Sequence, residues 1–240
     1  MMRTPCRPLL AALLLLAAMG RATAQQPFSC DGDFFFTAAN AANSSLLQRI
    51  VKDSSLTAMP ITKTITNDLG YKVTAIGFNV RDNFIYGLER FTWNLLRIGA
   101  DGVVVNLGKP LNLDPNLEYY AGEARPLGGA LYVIGREPGG YDKSFYTINL
   151  YPPYGAGVLS IVSDEAVRVS DMAIDPVFGT MYGFDEVQKR LVQVAVGGLV
   201  TSVHYEKQPQ LTALGSLFFD RWGNLYGING QGGQSLVRFY

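Results

Sequence analysis

The chain has few of the residues that most often carry metal or nucleophilic chemistry. Its 240 residues include two cysteines, Cys6 and Cys30, and one histidine, His204. Zinc sites are built mainly from several Cys and His ligands, which are too few here. A serine triad would depend on His204 as its base, but no Gly-x-Ser-x-Gly elbow accompanies it. We therefore interpret His204 as an exposed residue at the end of an outer strand.

Charged residues are also few, and the two signs are balanced. Only 17% of the chain is charged, with 20 basic and 20 acidic side chains, and no basic stripe typical of nucleic-acid binding is present. The 48% hydrophobic content excludes intrinsic disorder. What the chain does have is 26 glycines and 26 phenylalanines and tyrosines. This composition favours β-strands joined by tight turns.

The chain has one long hydrophobic run, at its N-terminus. Arg3 and Arg7 precede the apolar residues 9–19, and an Ala22-Thr23-Ala24 cleavage signal follows them. The run is shorter than the roughly 20 residues needed to span a bilayer. We predict a signal peptide over residues 1–24 and a single secreted domain over 25–240, with no transmembrane segment after cleavage; the alternative is an uncleaved signal anchor. The mature chain would carry 17 basic and 20 acidic side chains.

Cleavage would leave Cys30 as the only thiol of the mature chain. No disulfide within the chain would then be possible, so the fold would depend on its hydrophobic core. An unpaired cysteine in an exported protein is either a free thiol that acts as a small buried hydrophobe or a site of pairing with another chain. We predict a free, buried thiol at Cys30.

A tripeptide of a large aliphatic residue, tyrosine, and glycine or valine occurs four times. Its tyrosines, Tyr86, Tyr132, Tyr182 and Tyr226, are 46, 50 and 44 residues apart. A repeat of this length predicts a propeller or a solenoid. Each tyrosine lies in an apolar segment that follows a turn, and further apolar segments flank it on both sides. No helical period is present, so each unit reads as a small antiparallel sheet.

The pattern predicts an all-β, β-propeller-like fold of about five four-stranded repeats, each about 47 residues long. In the first repeat, Phe34-Phe35-Phe36 takes the place of the tyrosine segment, and strands over residues 45–51 and 56–65 follow it. The first repeat thus lacks its inner strand and the last lacks its outer strand. Alternatively, the N-terminal outer strand pairs with the three C-terminal strands, which would give four blades and an extra hairpin. We interpret the repeated tyrosine as a packing residue, with an aromatic ligand platform as the alternative.

Several motifs together resemble an uncharacterised family of secreted propeller-like domains, known only as a domain of unknown function. These motifs are Phe28-Ser29-Cys30-Asp31-Gly32, Ala75-Ile76-Gly77-Phe78-Asn79, Asp82-Asn83-Phe84-Ile85-Tyr86-Gly87, Leu96-Arg97-Ile98, Asp101-Gly102, Leu107-Gly108, Tyr119-Tyr120-Ala121-Gly122-Glu123 and Leu131-Tyr132-Val133. The resemblance implies an extracellular, often surface-associated module. It implies no catalytic residues that can be carried over.

Four polar residues follow or end the presumed inner strands: Asn79, Glu123, Asp175 and Asp220. If they occupy equivalent places in the repeats, symmetry would gather them at one end of a central channel. Oxygen ligands of this kind suit calcium, so a calcium site is one hypothesis. The other is that each side chain hydrogen-bonds the backbone of the turn that follows it. The sequence contains no calcium-loop consensus, and the prediction without a metal or other cofactor is the simpler one.

Two longer loops in the third repeat are candidate binding surfaces. They cover residues 136–143 and Tyr151-Pro152-Pro153-Tyr154-Gly155, where exposed prolines and tyrosines would form a rigid, amphipathic contact area. The alternative is that they are ordered connections between strands. Asn43-Ser44-Ser45 is the only N-x-S/T sequon, and it predicts glycosylation of Asn43 in a eukaryotic host.

Three hypotheses for function follow from the sequence. The first is a secreted or cell-surface, non-enzymatic propeller module that binds an extracellular protein or glycan. The second is a calcium-dependent propeller hydrolase or lyase that uses the inner-strand Asn and Asp residues. The third is a truncated or degenerate copy without an activity of its own. Because propellers serve many unrelated functions, the fold does not choose among them.

Overall fold

The computed structural model describes residues 24–29, 32, 34–51, 61–161, 166–194, 200–202, 211, 214–220, 222–229 and 235–239. Cys30, His204 and the predicted signal residues 1–23 lie outside this part of the chain. The described residues form strands and turns only, and none of them forms a helix that could cross a membrane.

The strands form five separate antiparallel sheets, each in chain order. They are β1 (Phe34–Ala39), β2 (Ser45–Val51) and β3 (Ile61–Thr66); β4 (Val73–Asn79), β5 (Phe84–Glu89), β6 (Leu95–Ile98) and β7 (Val104–Asn106); β8 (Glu118–Ala124), β9 (Ala130–Arg136), β10 (Asp142–Asn149) and β11 (Ala156–Ile161); β12 (Val169–Ile174), β13 (Met181–Asp185), β14 (Arg190–Val194) and β15 (Val200–Ser202); and β16 (Leu214–Phe219), β17 (Leu225–Asn229) and β18 (Ser235–Phe239).

The sheets surround a central channel. The first strands of the last four sheets are neighbours around it, with β4 beside β8, β8 beside β12, and β12 beside β16. The first sheet lies between the fifth and the second. The ring of Phe34 lies 4.6 Å from that of Phe218 on one side, and Phe28 contacts both Phe35 and Phe78 on the other. Five sheets arranged in this way form a β-propeller, as the repeat predicts.

The two incomplete sheets are those expected from the sequence. The first sheet, β1-β2-β3, begins with an equivalent of β5, because β1 contacts β4 in the way that β5 contacts β8 and β13 contacts β16. It therefore has no innermost strand among the described residues. The last sheet has three strands and, within the same part of the chain, no fourth. The alternative closure is wrong, because β3 pairs with β2 and not with the C-terminal strands.

The repeated tyrosines pack against other side chains, either within their own sheet or in the next one. Tyr86 is almost fully buried, and its hydroxyl donates a hydrogen bond of 2.7 Å to Asp82. Tyr182 contacts Phe219 of the next sheet, and Tyr226 stacks on Phe218 within its own sheet. Their interpretation as packing residues is confirmed.

Glycines allow neighbouring inner strands to approach closely. A Cβ atom at Gly77 of β4 would lie 2.2 Å from the backbone nitrogen of Ala124 in β8. A Cβ atom at Gly122 would lie 2.6 Å from the carbonyl oxygen of Ala75. In each of these inner strands the register shifts just before the glycine. Ala75, within the shifted part of β4, has a φ of 51°. The absence of a side chain at Gly77 and Gly122 thus lets β4 and β8 pack closely side by side.

The strand register identifies equivalent positions in the four complete inner strands. The partners of the four tyrosines are Gly77, Glu123, Ala173 and Phe218. Counting back two residues from each gives the equivalent set Ala75, Ala121, Asp171 and Ser216. Counting forward two residues gives Asn79, Arg125, Asp175 and Asp220.

Candidate functional site

Two cavities together form the central channel. The first has a volume of about 580 Å³ and is lined mainly by aromatic and aliphatic side chains, among them Phe34, Phe78 and Phe218. The second has a volume of about 440 Å³ and is more polar. Asp171 and Ser216 line both cavities, so the channel runs through the ring.

Two carboxyl groups lie in the wall of the first cavity. Glu123 of β8 accepts a hydrogen bond of 2.8 Å from the backbone N–H of Ala124, and Asp171 of β12 accepts one of 2.7 Å from the N–H of Leu217. Burial raises the pKa of Glu123 to about 8, and the nearby charge of Asp171 adds to this shift. Burial also raises the pKa of Asp171 to about 7, against the opposing effect of its hydrogen bonds. Both groups can therefore carry a proton near neutral pH.

Asp175 and Asp220, two of the predicted site residues, hold turns. One carboxylate oxygen of Asp175 accepts hydrogen bonds from the N–H groups of Val177 at 2.7 Å and Phe178 at 3.1 Å. One oxygen of Asp220 accepts two of 2.9 Å, from Trp222 and Asn224. Burial raises the pKa of Asp220, but the hydrogen bonds from Asn224 and Trp222 outweigh it and leave the pKa below its usual value. These contacts fit the turn hypothesis.

Asn79 connects two sheets. It is fully buried at the end of β4, and its Oδ1 accepts a hydrogen bond of 2.9 Å from the N–H of Gly129, in the turn between β8 and β9 of the next sheet. The amide nitrogen of Asn79 has no hydrogen-bond partner among the described residues. Its oxygen is therefore already committed to the protein backbone.

The equivalence predicted for Glu123 is wrong by two residues. Glu123 pairs with Tyr132, and the residue equivalent to Asn79, Asp175 and Asp220 is Arg125. Arg125 replaces the expected acid, so Glu123 is a channel residue and not a turn residue. Glu123 therefore does not share the equivalent position of the other three residues, and no group of three or more His, Cys, Asp and Glu side chains suited to a metal occurs in the described ranges.

An ion-pair cluster lies at the second cavity. The guanidinium of Arg136 binds Asp142 at 2.9 Å and Glu186 at 3.3 Å and donates to the carbonyl oxygen of Val169 at 2.8 Å. Asp142 also accepts a hydrogen bond of 2.6 Å from the N–H of Val169. Burial raises the pKa of Asp142, although Arg136 opposes the shift. This cluster fixes the third sheet to the fourth, so the start of loop 136–143 is structural.

The turns between first and second strands form a hydrophobic surface that sequence reasoning missed. We call the surface formed by their exposed apolar residues the turn face; it comprises Val80, Leu127, Val177, Phe178 and Trp222. The exposed fraction is 83% for Phe178, 70% for Leu127 and 63% for Trp222. Adjacent turns touch, since the Nε of Arg81 donates a hydrogen bond of 2.8 Å to the carbonyl oxygen of Leu127.

The turn face surrounds the mouth of the first cavity. Val80, Pro126 and Pro176, which belong to these turns, line that cavity. The loop that begins at Tyr151 borders the same face, because a Cβ at Gly129 would lie 3.4 Å from the Tyr151 ring. Loop 136–143 joins a second strand to a third and lies at the opposite end. Of the two predicted binding loops, only the tyrosine-proline loop is therefore beside the turn face.

Asn43 lies away from this surface, in the turn between β1 and β2. It is exposed and has a φ of 60°, and the Nζ of Lys72 donates a hydrogen bond of 3.1 Å to its side-chain oxygen. Ser45 of the sequon is buried and accepts a hydrogen bond of 2.9 Å from the N–H of Val73. Glycosylation of Asn43 stays a prediction, and its exposure is compatible with it.

A family described as "Repeat of unknown function (DUF6923)" matches residues 34–238. The chain therefore belongs to this family, which agrees with the resemblance in its motifs. No curated protein matches the chain.

Solved structures share the fold at low sequence identity. A protein of unknown function from Bacteroides thetaiotaomicron is 13% identical with a TM-score of 0.60, over 90% of this chain and 58% of its own length. The nidogen/laminin complex contains a chain that is 13% identical with a TM-score of 0.56, over 82% of this chain and 70% of that one. A gluconolactonase from Xanthomonas campestris is 14% identical with a TM-score of 0.50, over 90% of this chain and 86% of its own length. These likenesses establish the propeller fold.

Proposed function

We propose that this protein is a secreted or cell-surface, non-enzymatic binding module that holds a protein partner against its turn face. The main observation in support is the set of large apolar side chains exposed around one mouth of the channel, of which Phe178 and Trp222 are the largest. Exposed large apolar side chains grouped on one face of a protein are typical of interaction sites. Aromatic residues at the centre of such surfaces often supply most of the binding energy.

The cavity beneath the turn face supports the same role. Its volume of about 580 Å³ lies in the range of ligand pockets, and its walls are mostly apolar. Its two carboxyl groups already accept backbone hydrogen bonds. Insertion of an apolar side chain or segment of a partner would leave these two hydrogen bonds intact.

The start of the mature chain fits export with cleavage after Ala24. The side-chain nitrogen of Gln25 donates hydrogen bonds of 2.7 Å to the carbonyl oxygen of Arg97 and 2.6 Å to that of Val103. Gln25, with which the predicted mature chain begins, therefore belongs to the folded unit. N-terminal sequencing of the secreted product should give Gln25, whereas an intact Met1 would contradict export with cleavage.

Binding through the turn face can be tested with matched surface variants. The labelled protein is titrated onto the extracellular fraction of its source, and saturable binding is compared for Phe178→Ser, Trp222→Ser and Phe91→Ser. Phe91 is also a well-exposed phenylalanine, but it lies in the turn between β5 and β6 at the opposite end. Loss of a hot-spot aromatic costs about 2 kcal/mol or more, so the first two variants should bind at least roughly thirtyfold more weakly.

Phe91→Ser should bind like the unchanged protein. Equal binding by all four proteins would contradict the proposal. If treatment of the fraction with glycosidase but not protease abolishes binding, the partner is a glycan and the protein-binding proposal is wrong.

A calcium-dependent hydrolase or lyase is the second candidate. The observation that favours it is the pair of carboxyl groups, Glu123 and Asp171, in the wall of one cavity, which when ionised would offer the oxygen ligands that calcium prefers. A bound ion would stabilise the folded state by about 2.7 kcal/mol at one hundred times its dissociation constant. We expect calcium and a chelator to leave the thermal midpoint unchanged. A calcium-dependent rise that disappears in Glu123→Gln and Asp171→Asn would favour the enzyme.

A further inference from the structure

We propose that the first cavity binds the alkylammonium group of an organic amine. Its positive charge lies against the carboxyl groups of Glu123 and Asp171, and its carbon chain packs against the phenylalanine rings of the wall. This site goes beyond the proposed function, because the ligand is held inside the channel and not on the turn face. The amine is either a small molecule or the side chain of a lysine in another protein, and the two share the same chemistry.

The first argument is that two carboxyl groups share this cavity without a cation. Glu123 and Asp171 both line it, and neither forms an ion pair with any residue that the structure describes. Arg125 also lines the cavity, but it is exposed in the turn after β8 and pairs with neither group. A buried carboxylate without a partner is unfavourable, and burial raises the pKa of both groups accordingly. A cation bound beside them would stabilise their ionised forms.

The second argument is the hydrogen bonding of Glu123. Its Oε1 accepts a hydrogen bond of 2.8 Å from the N–H of Ala124, whereas its Oε2 has no hydrogen-bond partner among the described residues. Because the side chain lines the cavity, this second oxygen can accept a hydrogen bond from a ligand. An ammonium group has three donors and no acceptor, so it matches a carboxylate oxygen that lacks a donor.

The third argument is the placement of the two carboxyl groups along the channel. Inner strands β8 and β12 are neighbours, and Glu123 is equivalent to Ala173. Asp171 therefore lies two residues farther along its strand from the turn face than Glu123 does. A chain that enters through the mouth within the turn face reaches Glu123 first and Asp171 next. The negative charge thus lies inside the channel, where it would receive the tip of a linear amine.

The fourth argument is the apolar character of the rest of the wall. Five phenylalanines line the cavity: Phe34, Phe35, Phe78, Phe218 and Phe219. Aliphatic chains pack well on such a surface, and aromatic rings also attract cations. The volume of about 580 Å³ is typical of small-ligand pockets. Calcium takes about six to eight oxygen ligands, more than two carboxyl groups supply, so these walls suit an organic cation better than a metal ion.

Calorimetric titration with three ligands of equal chain length tests the site. Hexylamine, 1-hexanol and hexanoate differ only in their end group. At pH 8 in phosphate buffer the amine is charged, and Asp171, with a pKa of about 7, is mostly ionised. Hexylamine should bind at one site, and hexanol should bind roughly tenfold more weakly or worse, because it lacks the charge that pairs with a carboxylate. Hexanoate should not bind.

Three outcomes of this titration would overturn the inference. Equal binding of hexylamine and hexanol would show that the carboxyl groups do not select a cation. Displacement of hexylamine by an equal concentration of calcium would show that the site does not select an organic one. Failure of all three ligands to bind would show that the cavity is filled by the chain itself, since Ser29 and Gly32 also line it.

Variants of the two carboxyl groups locate the bound amine. Glu123→Gln and Asp171→Asn should each weaken hexylamine binding by roughly tenfold or more and leave hexanol binding unchanged. The hexanol measurement separates loss of charge from collapse of the cavity, because collapse would weaken both ligands. Glu137→Gln is the control, since Glu137 forms an exposed ion pair with Lys143 outside the cavity. Full hexylamine affinity in both cavity variants would overturn the inference.

Competition decides the source of the amine and keeps the two proposals separate. Saturating hexylamine is added while the labelled protein is titrated onto the extracellular fraction. Weaker binding of the partner would show that a lysine of that partner supplies the ammonium group, and unchanged binding would show that the ligand is a free amine. The binding losses of Phe178→Ser and Trp222→Ser are measured without hexylamine. They therefore judge the turn face alone, and the titration of the purified protein judges the cavity alone.

Discussion

The carboxylate of Asp171 and the backbone N–H of Leu217 form a hydrogen bond of 2.7 Å that joins inner strands β12 and β16. The same carboxyl group lines both cavities. A residue of the channel wall therefore also holds two sheets of the ring together, so changes in its ionisation affect the stability of the fold.

Removing this carboxyl group should destabilise the protein in a way that depends on the replacement. Asp171→Ala leaves the N–H of Leu217 without its partner and should lower the free energy of unfolding by about 1–3 kcal/mol. Asp171→Asn retains an acceptor oxygen and should cost less. Urea unfolding measures both values. Equal losses for the two variants would show that the hydrogen bond to Leu217 does not matter.

The channel carboxyls should make the protein less stable as the pH rises. The pKa of Glu123 is about 8 in the folded protein against an ordinary value of 4.5, and that of Asp171 is about 7 against 3.8. Between these limits the folded state binds more protons than the unfolded state, so stability falls with increasing pH. Their stabilising contribution is complete below about pH 4 and is lost by about pH 8.

Glu123→Gln isolates this effect from other titrating groups. The difference in unfolding free energy between Glu123→Gln and the unchanged protein should change in favour of the variant as the pH rises from 4.5 to 8, the range set by the two pKa values of Glu123. Chemical denaturation at a series of pH values measures this difference. A difference that stays constant over this range would contradict the raised pKa of Glu123.

The close approach of β4 and β8 should make two glycines intolerant of substitution. A Cβ atom at Gly77 or Gly122 would lie within 2.6 Å of backbone atoms of the other strand. Gly77→Ala and Gly122→Ala should each cost about 1–3 kcal/mol or more, because overpacking forces the strands apart. Gly157→Ala is the control, since its nearest neighbour is a side-chain carbon of Thr147 at 3.8 Å. The thermal unfolding midpoint of Gly157→Ala should be well above those of Gly77→Ala and Gly122→Ala.

Breaking the buried ion pair of Arg136 and Asp142 should cost more stability than breaking an exposed pair. Arg136→Met leaves Asp142 buried without its partner and should cost about 3–5 kcal/mol. Combining it with Asp142→Leu should cost less than the sum of the two single changes, because the groups are in contact. Lys143 and Glu137 form an exposed pair at 3.2 Å, so Lys143→Ala should cost about 0–1 kcal/mol. Additive losses for the buried pair would contradict this account.

The sequence predicts the fold well because its signals are local. The tyrosine spacing and the turns around Asn83, Gly179 and Gly223 place the strands in register, and each of these three residues has the positive φ that such turns require. Equal sheets in a ring then follow from the need of each sheet to bury both faces. The position of β1 as a second strand was predictable for the same reason.

The site was less predictable because it depends on small shifts within the inner strands. Glu123 resembles the acids that end other inner strands, but Arg125 takes their place and the register moves Glu123 into the channel. Asp171 lies at the irregular point of β12, where the alternation of faces is interrupted. No periodic pattern reveals such a residue. The turn face could have been found, since Phe178 and Trp222 occupy equivalent turns.

Site-specific cross-linking at the turn face tests the central claim of a protein-binding surface most directly. A photoreactive benzoylphenylalanine replaces Phe178 in one protein and Phe91 in another, and each is irradiated with the extracellular fraction of the source. The account predicts that position 178 cross-links to one defined partner protein, that this product is suppressed by excess unlabelled protein but not by excess Trp222→Ser, and that position 91 yields none. Cross-linking of the same protein from both positions, or from position 91 alone, would contradict it.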